Sequence, residues 1–152
     1  MTSTEVHEWK VQFALPDVRM TDIARYLSGA WMSAGGMPGS PDQIGSLLEG
    51  ITRYTYGGMP LSGRLALDDT SLIFEPQQFL QNLVFDDLPQ VKIPRAEIRR
   101  VYVPRSFIGL TADLKYPAVV LETIDGEFRL TSRTFLLTNK GLSRKLNSLL
   151  NL

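Results

Sequence analysis

"GRLALDDTSLIFEP", residues 63–76, is the stretch whose reading decides the fold. A glycine opens it. Leu65 and Leu67 then alternate with polar or small neighbours, as one face of a half-buried strand does. A second apolar run, "SLIF", closes on Pro76. Asp68, Asp69 and Thr70 lie between the two runs. A short carboxylate there can bond its own backbone two residues on, so the pair marks the corner of a β-hairpin. General acid–base chemistry would instead need two carboxylates facing each other across a cleft. Neighbours in a turn point into water, and we read Asp68 and Asp69 as a corner.

Working outward, the same grammar recurs. "VKIP" (91–94) and "EIRRVYVP" (97–104) read as two strands about a turn at 94–96. "AVVLETI" and "EFRLTS" flank Asp125-Gly126, a pair that tolerates the left-handed backbone of a two-residue hairpin turn. "ITRYTY" (51–56) alternates β-branched and aromatic residues, and "GGMP" turns the chain after it. The span from residue 51 onward therefore predicts about seven short antiparallel strands. One amphipathic helix ends the chain, capped by Thr138 or Asn139, with Leu142, Leu146, Leu149 and Leu150 on one stripe. Alternating βα units are absent, which argues against a doubly wound parallel sheet. Between strands, "QQFLQNLVFDDLP" (77–89) reads either as a long loop with Phe79, Leu80 and Phe85 tucked in, or as a bulged strand.

The first fifty residues differ. Trp9, Val11, Phe13 and Leu15 alternate with Glu8, Lys10 and Gln12, predicting a half-buried strand that Pro16 ends. Val18, Ile23, Tyr26, Leu27 and Trp31 give a helical stripe, with Asp17 as a candidate cap. "SAGGMPGSPD" (33–42) is a loop, and Ser40 or Asp42 can cap a short helix that stops near Gly50. The expected organisation is a strand-and-helix extension over 1–50 packed on a β domain over 51–152.

Composition bounds the function. The chain has 152 residues, 43% apolar and 21% charged, enough for one domain with a real core. Sixteen basic side chains balance sixteen acidic ones, so net charge offers no argument for nucleic acid or acidic lipid. No apolar run is long enough to predict an integral membrane segment, and "MTSTEVHEWK" has no signal-peptide pattern. The absence of cysteine fits a cytoplasmic protein and removes thiolate chemistry. His7 is the only imidazole, so neither a metal site nor a Ser–His triad can be assembled around it on the usual pattern. "SAGGMPGSPD" lacks the Lys-Ser ending of a phosphate-binding loop. We expect no cofactor and no enzymatic activity.

Gly63–Leu67 running through Leu72–Pro76 is similar to the glycine-strand-turn-strand signature of the GRAM domain, a branch of the pleckstrin-homology-like (PH-like) superfold. Val91–Pro94 leading into Ile98–Val101 resembles the family's isoleucine-proline step. Leu121–Leu130 resembles its late hairpin, and Ser132–Phe135 with the leucine-rich helix completes the likeness over residues 51–151. The resemblance implies a mainly β fold: a PH-like, seven-stranded, partly open antiparallel barrel capped by a C-terminal helix. It also implies a non-catalytic module that binds protein or a lipid headgroup, cytoplasmic and peripheral at the membrane. The basic cluster of pleckstrin-type phosphoinositide sites has no counterpart here, where only Arg53 and Arg64 flank "YGGMPLSG".

Two segments supply candidate contacts. Lys92, Arg95, Arg99, Arg100 and Arg105 crowd one region. They suit a solvated, charge-protected edge strand or a patch for anionic headgroups. Alternation would put Arg99 with Val101 and Arg100 with Tyr102, on opposite faces. "VPRSFIGLTADLKYP" (103–117) sets Phe107 and Ile108 between Arg105 and Lys115. Such a loop folds over the core, makes a homo-oligomer contact, or enters a membrane interface. A separate alternative is self-association, with the N-terminal strand pairing to a partner chain by edge addition.

Overall fold

The structure is a computed structural model and describes residues 5–107, 110–111 and 114–152. Its strands are β1 (His7–Leu15), β2 (Met59–Leu67), β3 (Ser71–Pro76), β4 (Val91–Pro94), β5 (Ile98–Tyr102), β6 (Ser106–Phe107), β7 (Leu110–Thr111), β8 (Val119–Thr123) and β9 (Gly126–Ser132). Its helices are α1 (Asp22–Ala34), α2 (Pro41–Tyr56), the single turn α3 (Gln81–Val84) and α4 (Asn139–Leu150).

Seven strands form one antiparallel sheet in the order β4-β3-β2-β1-β9-β8-β5. The two edge strands, β4 and β5, are joined by only a 3₁₀ turn, Arg95–Glu97. Three residues span roughly 10 Å at most, so the sheet must curl until its edges approach at that corner. Inside the curl, Phe13 and Phe74 stack at 4.9 Å, surrounded by Leu61, Leu65, Leu72, Leu121 and Leu130, all buried. α4 packs on β5, β8 and β9 and buries Leu142 and Leu146 in the same core. A seven-stranded open antiparallel sheet with a C-terminal helix is the mixed architecture expected from the sequence, consistent with a PH-like open barrel.

Most local signals hold. Asp68 Oδ1 accepts from the backbone N–H of Thr70 and Ser71, both at 2.8 Å, so it builds the β2–β3 corner. Those bonds favour the ionised form and pull its pKa below the ordinary value. Ser40 caps α2 in a reciprocal box with Gln43, and Thr138 caps α4.

Other expectations are corrected. "ITRYTY" is not a strand but the last turns of α2, which runs on to Tyr56 and ends on left-handed Gly57. A division at residue 50 therefore cuts a helix. β1 is not an extension: it lies mid-sheet, paired to β2 over nine residues and to β9 over four. Both its backbone edges are paired over 11–14, so that stretch offers no open edge to a partner chain. α1 and α2 are a helical hairpin inserted between β1 and β2. α1 is capped by Thr21 rather than Asp17. Thr123 pairs with Gly126, so the hairpin turn is Ile124-Asp125, one residue earlier than expected. In the 77–89 segment Phe85 packs on the core, but Phe79 and Leu80 are exposed.

Candidate functional site

The site begins with a row across three strands. Lys10 on β1 lies opposite Arg64 on β2, which lies opposite Glu75 on β3. Their neighbours Val11, Leu65 and Phe74 point into the core, so this row is on the outer face. Like charges directly opposite are unfavourable in a sheet. Arg64 offsets this by donating to Glu75 at 2.8 Å, with Glu8 at 3.6 Å. Arg133, just past β9, joins them because its backbone N–H donates to the Lys10 carbonyl at 2.8 Å.

These side chains border an open hollow of about 430 Å³, walled further by Ser62, Gly63, Pro76 and Gln77. Gly63 is required by the close strand approach, since a Cβ there would stand 2.2 Å from the Glu75 carbonyl oxygen. Among the described residues neither Lys10 nor Arg133 has a carboxylate partner. The Arg133 guanidinium donates only to Gln12 Oε1, at 2.9 Å.

Beside the hollow stands an apolar tip. Thr134 Oγ1 is bonded to both backbone groups of Lys10. Leu137 N–H closes a turn onto the Thr134 carbonyl at 3.1 Å, and Leu137 itself packs on the core. The two residues at the tip, Phe135 and Leu136, are each 88% exposed. Leu136 has φ +60°, a left-handed conformation that costs a branched residue about 1–2 kcal/mol. Lys140 follows in the first turn of α4. High exposure of two adjacent large apolar side chains, with backbone strain at Leu136, points to use outside the fold.

The arginines expected to bind behave differently. Arg95 is taken into the structure: its guanidinium donates to the Asp68 carbonyl at 3.1 Å and to the Leu149 carbonyl, tying the β2–β3 corner to the end of α4. A bulge between Ile98 and Arg100 makes Arg99 the extra residue. Arg99 therefore does not share Val101's buried face, and both Arg99 and Arg100 are exposed. Arg100 lies over the Tyr102 ring at 4.1 Å. Lys92 is exposed on β4, at the opposite sheet edge, and Arg105 is exposed beyond β5. In the 103–117 segment, Lys115 Nζ sits 5.7 Å over the Tyr54 ring and Tyr116 N–H donates to the Thr55 carbonyl at 3.0 Å. That end folds back on α2. Phe107 pairs through its backbone with Leu110, and Ile108 lies outside the described residues.

A second apolar surface lies on the helical hairpin. Ile23, Leu27 and Trp31 follow one another at four-residue spacing on α1, with exposures of 72%, 61% and 83%. Only Gly29 of that helix is buried. No helix is long and apolar enough to cross a membrane, and no three metal-ligating side chains converge among the described residues.

No protein-family model matches this chain, and no curated protein matches it either. The site residues Lys10, Arg64, Arg133, Phe135 and Leu136 were not singled out by sequence reasoning. One signal was present: "SRTFLLTNK" (132–140) has the same basic–apolar–basic order as the 103–117 segment.

Proposed function

We propose that this protein is a non-catalytic module that docks peripherally on an anionic lipid surface. The carrying observation is the exposed Phe135–Leu136 tip, pinned beside Lys10 and Arg133, which have no carboxylate partners among the described residues. The hollow takes a headgroup phosphate, and the guanidinium of Arg133 suits two of its oxygens. The tip enters the interfacial layer, where apolar burial adds to electrostatic attraction. Lys140, exposed in the first turn of α4 a few residues after the tip, adds to the positive charge of this segment.

Flotation with anionic and neutral vesicles, at low salt and at about 0.15 M salt, tests this. Binding to anionic vesicles only, weakening with salt, is expected. Lys10→Ala and Arg133→Ala should each weaken it by about fivefold, taking roughly 1 kcal/mol per cation near the surface. Phe135→Ser with Leu136→Ser should abolish it. Failure of all vesicles to float the protein overturns the proposal.

The exposed Ile23–Leu27–Trp31 stripe favours a second reading, a protein contact through α1. It carries no cation on the stripe, unlike a membrane-surface helix. Leu27→Glu with Trp31→Glu separates the two readings: vesicle binding survives this pair if the tip is the membrane contact. A photo-crosslinker placed at position 31 should then trap a discrete heteromeric adduct in cells, and a pattern unchanged by Leu27→Glu sinks the protein contact.

A further inference from the structure

Arg129 on β9 is a buried cation without a counter-ion. It is only 8% exposed, and its Nη1 has no hydrogen-bond partner. Among the described residues it forms no ion pair. Its strand neighbours Ala14 and Val120 place it on the outer sheet face. The end of α2 covers it there, with Gly57 seated so closely that a Cβ would lie 2.8 Å from Arg129 Cδ. Tyr56 and Tyr116, with ring centroids 4.9 Å apart, help roof the space.

An arginine cannot shed its proton to escape burial. A desolvated, unpaired charge costs several kcal/mol, so something should compensate it. The negative end of the α2 dipole helps in part. However, the carbonyls of Arg53, Tyr54 and Thr55 already accept from Gly58, Gly57 and Tyr116. The small enclosed pocket beside Arg129 is also lined by Gln12 and Thr131. Gln12 Oε1 is held by Arg133, which leaves the amide NH₂ of Gln12 as a donor. Thr131 adds a hydroxyl. Arg129 Nη1 and the Gln12 amide thus bring donors to this pocket, the Thr131 hydroxyl can act as a third, and its space, about 10 Å³, suits one water-sized occupant.

We infer that this pocket is a binding site for a single small inorganic anion of chloride size, held by Arg129 with Gln12 and Thr131. It shares no lining residue with the open hollow. A partner's carboxylate on its carbon stem would not fit so small and roofed a space.

Two measurements test it on the full chain. Crystals soaked in bromide should show an anomalous peak within hydrogen-bond distance of Arg129 Nη1. Thermal unfolding at fixed ionic strength should shift upward as chloride replaces gluconate, which is too large to enter, because binding to the native state alone stabilises it. Arg129→Met should unfold at one temperature in both salts. Should that variant not fold, Thr131→Val, which keeps the arginine and removes one donor, should reduce the chloride shift. An ordered water in place of bromide, or identical unfolding of the unaltered protein in both salts, overturns the inference.

Discussion

Thr134 Oγ1 accepts from the Lys10 N–H at 2.8 Å and donates to the Lys10 carbonyl at 3.1 Å, although the two residues are 124 positions apart. One side chain thus acts as an extra rung between β1 and the segment after β9. It fixes the base of the Phe135–Leu136 turn against the strand that carries one of the hollow's cations. Charge and apolar tip are held in one register, which is what joint recognition of a headgroup and its interface requires.

Thr134→Val keeps the shape of that side chain and removes both bonds. Each is partly solvated, so the loss of stability should be about 1 kcal/mol. Vesicle binding should fall more than stability does, because the tip is released from the cations. Flotation beside urea unfolding reads both. Unchanged flotation in a destabilised variant would show that the clip serves the fold alone.

Much of this architecture was legible locally. The β2–β3 corner follows from Asp68, and α4 from its cap and leucine stripe. "ITRYTY" misled because its alternation also fits a helix: Leu47, Ile51 and Tyr54 are exposed at spacings of four and three, and Arg53 reaches back one turn to Glu49. Tertiary contacts and the Ser40 cap, not local propensity, decide between them. The site was hidden for a different reason. Lys10, Arg64 and Arg133 come from three distant segments and meet only through strand register. The arginines that crowd in sequence are separated by a bulge at Arg99 and by the capture of Arg95 at the end of α4.

The helical hairpin rests on two glycines. A Cβ on Gly29 would lie 1.7 Å from the Pro41 carbonyl oxygen, and one on Gly45 would lie 2.0 Å from that of Arg25. Backbone cannot give way as a flexible side chain can. Gly29→Ala should therefore cost at least about 2–3 kcal/mol and loosen α1. Gly50, inside α2, meets nothing within 4 Å, so Gly50→Ala should stabilise by about 0.5–1 kcal/mol. Urea unfolding of the pair checks both signs, with limited proteolysis around residues 35–39 reporting on α1.

Glu49 holds the same hairpin electrostatically. It is 8% exposed, and it accepts from Arg25 Nε at 2.8 Å and Arg53 Nη2 at 3.0 Å. Arg53 in turn donates to the Val18 carbonyl at 2.9 Å, so one carboxylate links α1, α2 and the segment after β1. Both arginines are partly solvated, which limits the penalty of stranding them. Glu49→Gln should cost about 2–3 kcal/mol. A loss well below 1 kcal/mol in chemical unfolding would mean that the glycine contact alone carries the docking.

Asp68 gives a pH-dependent contribution whose sign is fixed by its bonds. The Thr70 backbone N–H, then that of Ser71, favour the carboxylate and lower its pKa in the folded state. The unfolded chain returns it to about 3.9. A folded pKa below the unfolded one means the stabilisation is full above the unfolded value. It declines as pH falls and is gone below the folded pKa. Asp68→Asn keeps an acceptor and cannot ionise. The stability difference between the unaltered protein and this variant should therefore be constant near neutral pH and shrink only on acidification below about 4. Thermal unfolding of both proteins across the acid range measures it. A difference that stays constant through the acid range would mean that the ionised carboxylate contributes nothing to the corner beyond what the amide supplies.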